Sequence, residues 1–493
     1  MKSTHAKKSG ASIVEKKLSN GMTVLVAERH FDPVVAVMLW YRCGARDESE
    51  REAGVAHFLE HMMFKGSRGF GKGEVDLATT RLGGSNNAFT SADHTAYWFE
   101  LASDRWEKAL EIEADRMRGL LLDPAEFEAE KAVVLEELSM GEDDPWRVLV
   151  QQVQQALFGR HAYHRPVIGY VDTLKALTVG DMRAWYERHY HPANATLVVC
   201  GDTTVEAALA AAEKHFGAIP AGAARQSGWS APAPAPRGEQ RLSMEWDDDG
   251  KRVCIAWPTT KVGEADDYAL DVLATALSSG RNSRLHRLLV LEAGLATSVS
   301  THNDTRVDGG AFWLYAQCAH GVEPARLEGA LLAEVQRVRD ALLEPAELVR
   351  AKQIIEAGEA HDSETVSDLA EELGEYAVDA HWTLAVQAVE RIKAVDAAAV
   401  REAARRYLGD EGRVVGWSLP KRAAAGQKAS RGAKPGHSKA KSASRRPAPA
   451  KAAAQKSKKA GAKARGKKAR RAAARSRRAG ARRRAQGQGK VRR

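Results

Sequence analysis

The 493-residue chain has only four cysteines, Cys43, Cys200, Cys254 and Cys318, and no two sit at a spacing that marks a disulfide framework or a metal knuckle. Three lie in or beside apolar runs such as Leu197-Val198-Val199-Cys200 and Val253-Cys254-Ile255-Ala256, and read as small buried hydrophobes. No run approaches the roughly 18 apolar residues that a membrane-spanning helix needs. Met1 to Lys8 is basic, but no apolar stretch follows, so no secretion signal is expected and a reduced cytoplasmic setting is the default. Acidic residues are missing from residues 421–493, which contain 28 Lys or Arg. The whole chain carries 74 basic and 64 acidic residues, so residues 1–420 hold 46 basic and 64 acidic ones, a formal charge of −18. The net +10 conceals an acidic body joined to a polycationic tail.

That tail has no aromatic or branched hydrophobe except Val491, so nothing in it offsets chain entropy and disorder is expected over 421–493. Dense positive charge binds polyanions by counterion release, blind to sequence. Without aromatics there is little base stacking. Nucleic acid is the first candidate partner of the tail; an acidic membrane surface and the chain's own acidic body are others.

What is present is concentrated in His57-Phe58-Leu59-Glu60-His61. Two histidines four apart on a helix share a face, their Cβ atoms about 6 Å apart, which suits two ligands of one metal ion. Glu60 lies on the same turn, placed to hold a water without ligating. A second acidic segment follows, Glu126 to Leu138, with Pro124 just inside its expected helical start. Glu130 and Glu137 are seven apart and share a face about 10 Å along the axis, while Phe127, Val134 and Leu138 form a core stripe. Catalytic zinc takes three protein ligands and keeps a fourth position for water. His57 and His61 supply two, and a carboxylate from this helix is the natural third. Local sequence does not choose between Glu136 and Glu137.

His57-x-x-Glu60-His61 with a downstream Glu137 resembles the pitrilysin/insulinase family of metallopeptidases, which includes the mitochondrial processing peptidase. Glu137 lies 76 positions after His61, with 75 residues between them, close to the family's usual interval. The lead-in Gly54-Val55-Ala56-His57, the run Glu130 to Glu137 and Asp144-Pro145 match as well, and the resemblance covers most of residues 12–420. It implies that Glu137 is the third ligand of one zinc ion per chain and that Glu136 is a surface carboxylate. Glu60 then takes the proton of the attacking water and passes it to the leaving amine. Glu130 is implied as a supporting carboxylate near the metal. Gly83 to Thr90 looks like the family's substrate-binding edge strand, where Asn87 and Ala88 would hold a peptide by strand addition. Some relatives are non-catalytic core subunits; those usually lose metal ligands, and here His57, Glu60, His61 and Glu137 are all present.

The resemblance also frames the organisation. Leu174, Leu177, Met182 and Leu197 correspond, at an offset of 218, to Ile392, Val395, Val400 and Val415. The expected architecture is α+β, two homologous domains, each a mainly antiparallel sheet flanked by helices, as in the mitochondrial processing peptidase. The expected bounds are 12–222 for a zinc domain, 223–240 for a Pro/Ala/Gly-rich linker, 241–420 for a non-catalytic copy and 421–493 for the tail. Many family members carry in the second half an Arg and a Tyr, seven apart, that contact substrate. Aligning Ser283-Arg284-Leu285 and Gly294-Leu295-Ala296 puts Val290 and Thr297 there. The chain therefore resembles the zinc-binding subunit of a pair, and a homo- or heterodimer with an Arg/Tyr-bearing sister subunit is expected. Gly66 to Gly73 nearly spells a phosphate loop, but Gly73 stands where a hydroxyl residue is needed.

Overall fold

A computed structural model describes residues 4–223 and 238–421. The expected tail, apart from Lys421, and most of the expected linker lie outside these residues. The first sheet has seven strands: β1 (Thr4–Lys8), β2 (Ala11–Lys17), β3 (Thr23–Glu28), β4 (Val34–Tyr41), β5 (Ser85–Thr90), β6 (Thr95–Ala102) and β7 (Ala195–Gly201). Their order is β1-β2-β3-β7-β4-β6-β5. The second sheet has five: β8 (Gln240–Trp246), β9 (Arg252–Thr259), β10 (Ala296–Asp304), β11 (Gly310–Cys318) and β12 (Val414–Pro420), in the order β10-β11-β9-β12-β8. Within each sheet one pair is parallel, β3 with β7 and β8 with β12; the other pairings are antiparallel. Read from their parallel pairs outward, β3-β7-β4-β6-β5 and β8-β12-β9-β11-β10 are one topology used twice. The four apolar pairs that signalled the repeat are buried in both copies.

Local chemistry accounts for the elements. Ser19-Asn20-Gly21 turns β2 into β3: Gly21 takes a φ of 91°, and the Asn20 amide binds the carbonyls of Phe216 and Ile219. The Pro124–Glu142 helix opens on Asp123, whose carboxylate accepts from the Ala125 and Glu126 amides, with proline in the first position. Asp144-Pro145 repeats that device for the Pro145–Phe158 helix.

Strand β4 is a continuous apolar run because both its faces are covered. Val35, Val37, Leu39 and Tyr41 join the core of the first half; Ala36, Met38 and Trp40 join a second cluster with Leu369, Ala370, Leu373 and Ala377 of the Val366–Asp379 helix. That helix comes from the second half of the chain. The exchange is mutual: Leu149, Val153 and Leu157 of the Pro145–Phe158 helix pack on Cys254, Ala256, Trp313 and Val414 of the second sheet. Glycine allows both approaches. A Cβ at Gly374 would come within 2.0 Å of the Trp40 indole nitrogen, and one at Gly416 within 2.4 Å of Val153.

Two strands depart from the expected bounds. Thr4–Lys8 pairs with β2 ahead of residue 12, and Gln240, assigned to the linker, opens β8. Among the described residues no helix is long and apolar enough to cross a membrane, and all four cysteines are free and buried.

Candidate metal centre

The Val55–Met62 helix begins at Gly54, whose φ of 98° lets the chain turn in against the Ile168 and Gly169 backbone. Its first turn is capped by Glu48, which accepts from the Gly54 and Ala56 amides at 3.0 and 2.9 Å. Complete burial pushes the Glu48 carboxyl up to about 8, against the pull of those two amides and of Arg165. Arg165 clamps the capping loop, donating to the carbonyls of Ala45, Arg46 and Glu48 and to the Glu50 carboxylate.

Val55, Ala56, Phe58, Leu59 and Met62 face the core, which leaves His57, Glu60 and His61 on the more open side. Phe58 stacks on Phe127, with ring centroids 4.7 Å apart, and so seats this helix on the Pro124–Glu142 helix. On the latter, Phe127, Glu130, Val134 and Leu138 are buried, and Glu137 lies at the margin of that stripe.

The result is a convergence. His57 Nε2 and His61 Nε2 lie 3.8 and 3.6 Å from Glu137 Oε2. One ligand atom from each of the three residues falls within 4.8 Å of the other two, a unique grouping of this kind among the described residues. Ligands about 2.0–2.1 Å from a tetrahedral zinc are about 3.4 Å apart, so the two histidine–glutamate separations fit with small closure, and two imidazoles plus one carboxylate are a catalytic zinc donor set. Glu136 is exposed. Glu130 sits behind the centre: its Oε1 is 2.9 Å from His61 Nδ1 and its Oε2 is 2.5 Å from Lys65 Nζ. Burial raises the Glu130 carboxyl, but His61 and Lys65 outweigh it and hold it below the usual range. Burial likewise depresses His61, and the surrounding carboxylates, Glu130 foremost, more than restore it. An imidazole that donates from Nδ1 presents Nε2 as its free lone pair, toward Glu137.

Glu60 accepts from Thr90 Oγ1 at 2.6 Å through Oε2. Burial raises its carboxyl to about 7, with the Thr90 hydrogen bond and His61 pulling it down. A bound dication adds a field that favours the ionised carboxylate and the neutral imidazoles.

Strand β5 is an edge strand beside this centre; among the described residues only β6 pairs with it. Ala88 is buried in the core next to the His57 helix, whereas Asn87 points to the opposite face of the strand by alternation. Lys65, Glu48 and Thr90 were not singled out from the sequence. Thr90 was within reach of strand alternation, two residues after Ala88; Glu48 and Lys65 carry no local signal, because their partners lie 8 and 65 residues away.

Residues 23–170 match the family model described as insulinase (peptidase family M16), and residues 176–355 match that described as the peptidase M16 inactive domain. An uncharacterised zinc protease of Mycobacterium leprae is 32% identical over 63% of this chain and 70% of its own length. The chain belongs to the insulinase family of peptidases, M16. The zinc protease PqqE of Helicobacter pylori is 29% identical to this M16 chain over 73% of it and 82% of the relative. The crystal structure of a protease from the same bacterium superposes with a TM-score of 0.79 at 25% identity, covering 85% of this chain and all of that one. The inactive-domain match falls where the M16 chain has no His-x-x-Glu-His. At the offset of 218, His57, Glu60 and His61 become Thr275, Ser278 and Ser279.

Proposed function

We propose that this chain is a zinc-dependent endopeptidase that hydrolyses bonds in peptides or small unfolded proteins, holding one zinc ion with His57, His61 and Glu137. The observation that carries the reading is the meeting of those three residues with Glu60 beside them and outside the ligand set. The names of the relatives, zinc proteases, support it. Zinc, when bound, supplies Lewis-acid polarisation of water and of the scissile carbonyl. The protein supplies the rest. Glu60 accepts a proton and returns it to the leaving amine, and a carboxyl raised by burial toward neutrality suits both tasks. Glu130 and Lys65 fix the ring of His61. The free edge of β5 offers main-chain donors and acceptors to an extended peptide, with Asn87 and Ala88 at its centre. The free, buried thiols support a reduced, cytoplasmic setting. Metal analysis with peptide hydrolysis tests the reading. The expected result is one zinc per chain, none in His61→Ala, and in Glu60→Gln full zinc with kcat lower by about 10²- to 10⁴-fold. Wild-type protein that stays zinc-free in excess zinc removes the peptidase reading and leaves a core scaffold subunit.

We infer further that an Arg/Tyr-bearing sister subunit completes the site. Val290 lies in the His286–Glu292 helix and Thr297 in β10, and neither offers what Arg and Tyr would. The neighbouring Arg284 is engaged by Glu347, its Nε 3.0 Å from Oε1, and Arg287 faces Glu292. Full peptide hydrolysis by a verified homomeric preparation would show that no sister subunit is needed.

A further inference from the structure

The hydroxyl that reaches Glu60 belongs to the last residue of the edge strand. Alternation along β5 puts Asn86, Ala88 and Thr90 on the side of the His57 helix. Phe89 goes to the other face, 5.4 Å from the Trp40 ring. Thr90 is held from both directions. Before it, β5 is in register with β6 from Ser85–Glu100 to Thr90–Thr95. After it, the Ser91 amide binds the His94 carbonyl at 2.8 Å, and the Ala45 and Arg46 amides bind the carbonyls of Ser91 and Ala92. The same Ala45–Glu48 loop carries the cap of the His57 helix.

Threonine has a stiff first torsion. The terminal torsion of a glutamate is broad and soft. A fixed hydroxyl against a soft carboxylate sets the rotation of the carboxylate. We propose that Thr90 is a positioning residue for Glu60: its hydroxyl occupies Oε2, turns Oε1 toward the metal centre, and makes alignment of the base depend on the strand to which a peptide adds. The proposal rests on the peptidase reading above.

The experiment compares wild type, Thr90→Val and Thr90→Ser as the full zinc-loaded protein on a fluorogenic peptide, with zinc content measured alongside. The expected result for Thr90→Val is kcat lower by about 10- to 100-fold, with KM within about twofold and one zinc per chain. Thr90→Ser, which keeps the hydroxyl, recovers kcat to within about threefold. Crystals of the two zinc-loaded proteins give a readout without turnover: a single Glu60 carboxylate orientation in wild type, and a turned or split one in Thr90→Val. Unchanged kcat in Thr90→Val, Thr90→Ser as impaired as Thr90→Val, or an unmoved carboxylate in the Thr90→Val crystal overturns the proposal. If wild type binds zinc but hydrolyses nothing alone, the sister subunit inferred above is missing from the assay, and the crystals alone decide whether Thr90 orients Glu60.

Discussion

The two halves of the chain share a five-strand order, and the helices that open them differ in character. In the first half the helix after the fourth strand is short, Val55–Met62, capped by a buried carboxylate, and polar on one side. In the second half its counterpart is the longer Ala265–Ser278 helix, with Tyr268, Leu270, Val272, Leu273, Ala276 and Leu277 buried. The shared strand order is therefore a platform that carries the histidine pair in one half and an apolar helix in the other. The centre costs the first half a polar stripe, which it tolerates by pairing each buried group: His61 with Glu130, Glu130 with Lys65, Glu60 with Thr90.

The sharpest way to break the comparison is to make the first half resemble the second at one ligand. Glu137→Gln should remove zinc and lower kcat/KM by more than about 10³-fold, while its exposed neighbour Glu136→Gln should leave both unchanged. Metal analysis and peptide hydrolysis on both variants check this, and equal effects would return the third ligand to dispute. A smaller effect is expected where each half lies against the other. Gly374→Leu must move the Trp40 indole, and the expected loss is on the order of 3 kcal/mol in denaturant unfolding, with Gly416→Val similar. Variants as stable as wild type would mean that the helices do not sit so close.

The smallest effect concerns pH. His94 of the first half meets Asp379 of the second at 2.8 Å, with Glu375 and Asp93 also acting on it. Burial disfavours its charge, but Asp379 outweighs burial and raises His94 to about 9. A histidine raised above its unfolded value near 6.5 stabilises fully below that value and loses the contribution as pH rises through about 9. The stability difference between wild type and His94→Gln should shrink by on the order of 1–2 kcal/mol from pH 6 to pH 9.5, read from urea midpoints. A difference independent of pH would show that the pair does not couple the halves through charge.

Part of this architecture is legible in the sequence. The histidine pair stands out by its spacing, and Glu137 by the family resemblance. The repeat offset does more than expected: applied to β3 and β4 it lands on residues 241–246 and 252–259, within β8 and on β9. The alternation of Leu242, Met244 and Trp246 in β8 is therefore readable, and of this strand only Gln240 falls within the expected linker. What could not be read was the exchange of helices. An amphipathic pattern shows that the Val366–Asp379 helix must bury a face, not that one receiving strand, β4, lies more than 300 residues earlier in the chain.

The exchange carries a consequence for how the polypeptide can be divided. Each half depends on a segment contributed by the other, so covalent continuity across residues 224–237 is not what keeps them together. A nick there leaves two fragments, each missing a cover for one side of its sheet and each carrying the cover the other lacks. Co-expressed as separate polypeptides, they are expected to reassemble, while either alone exposes an apolar surface and aggregates.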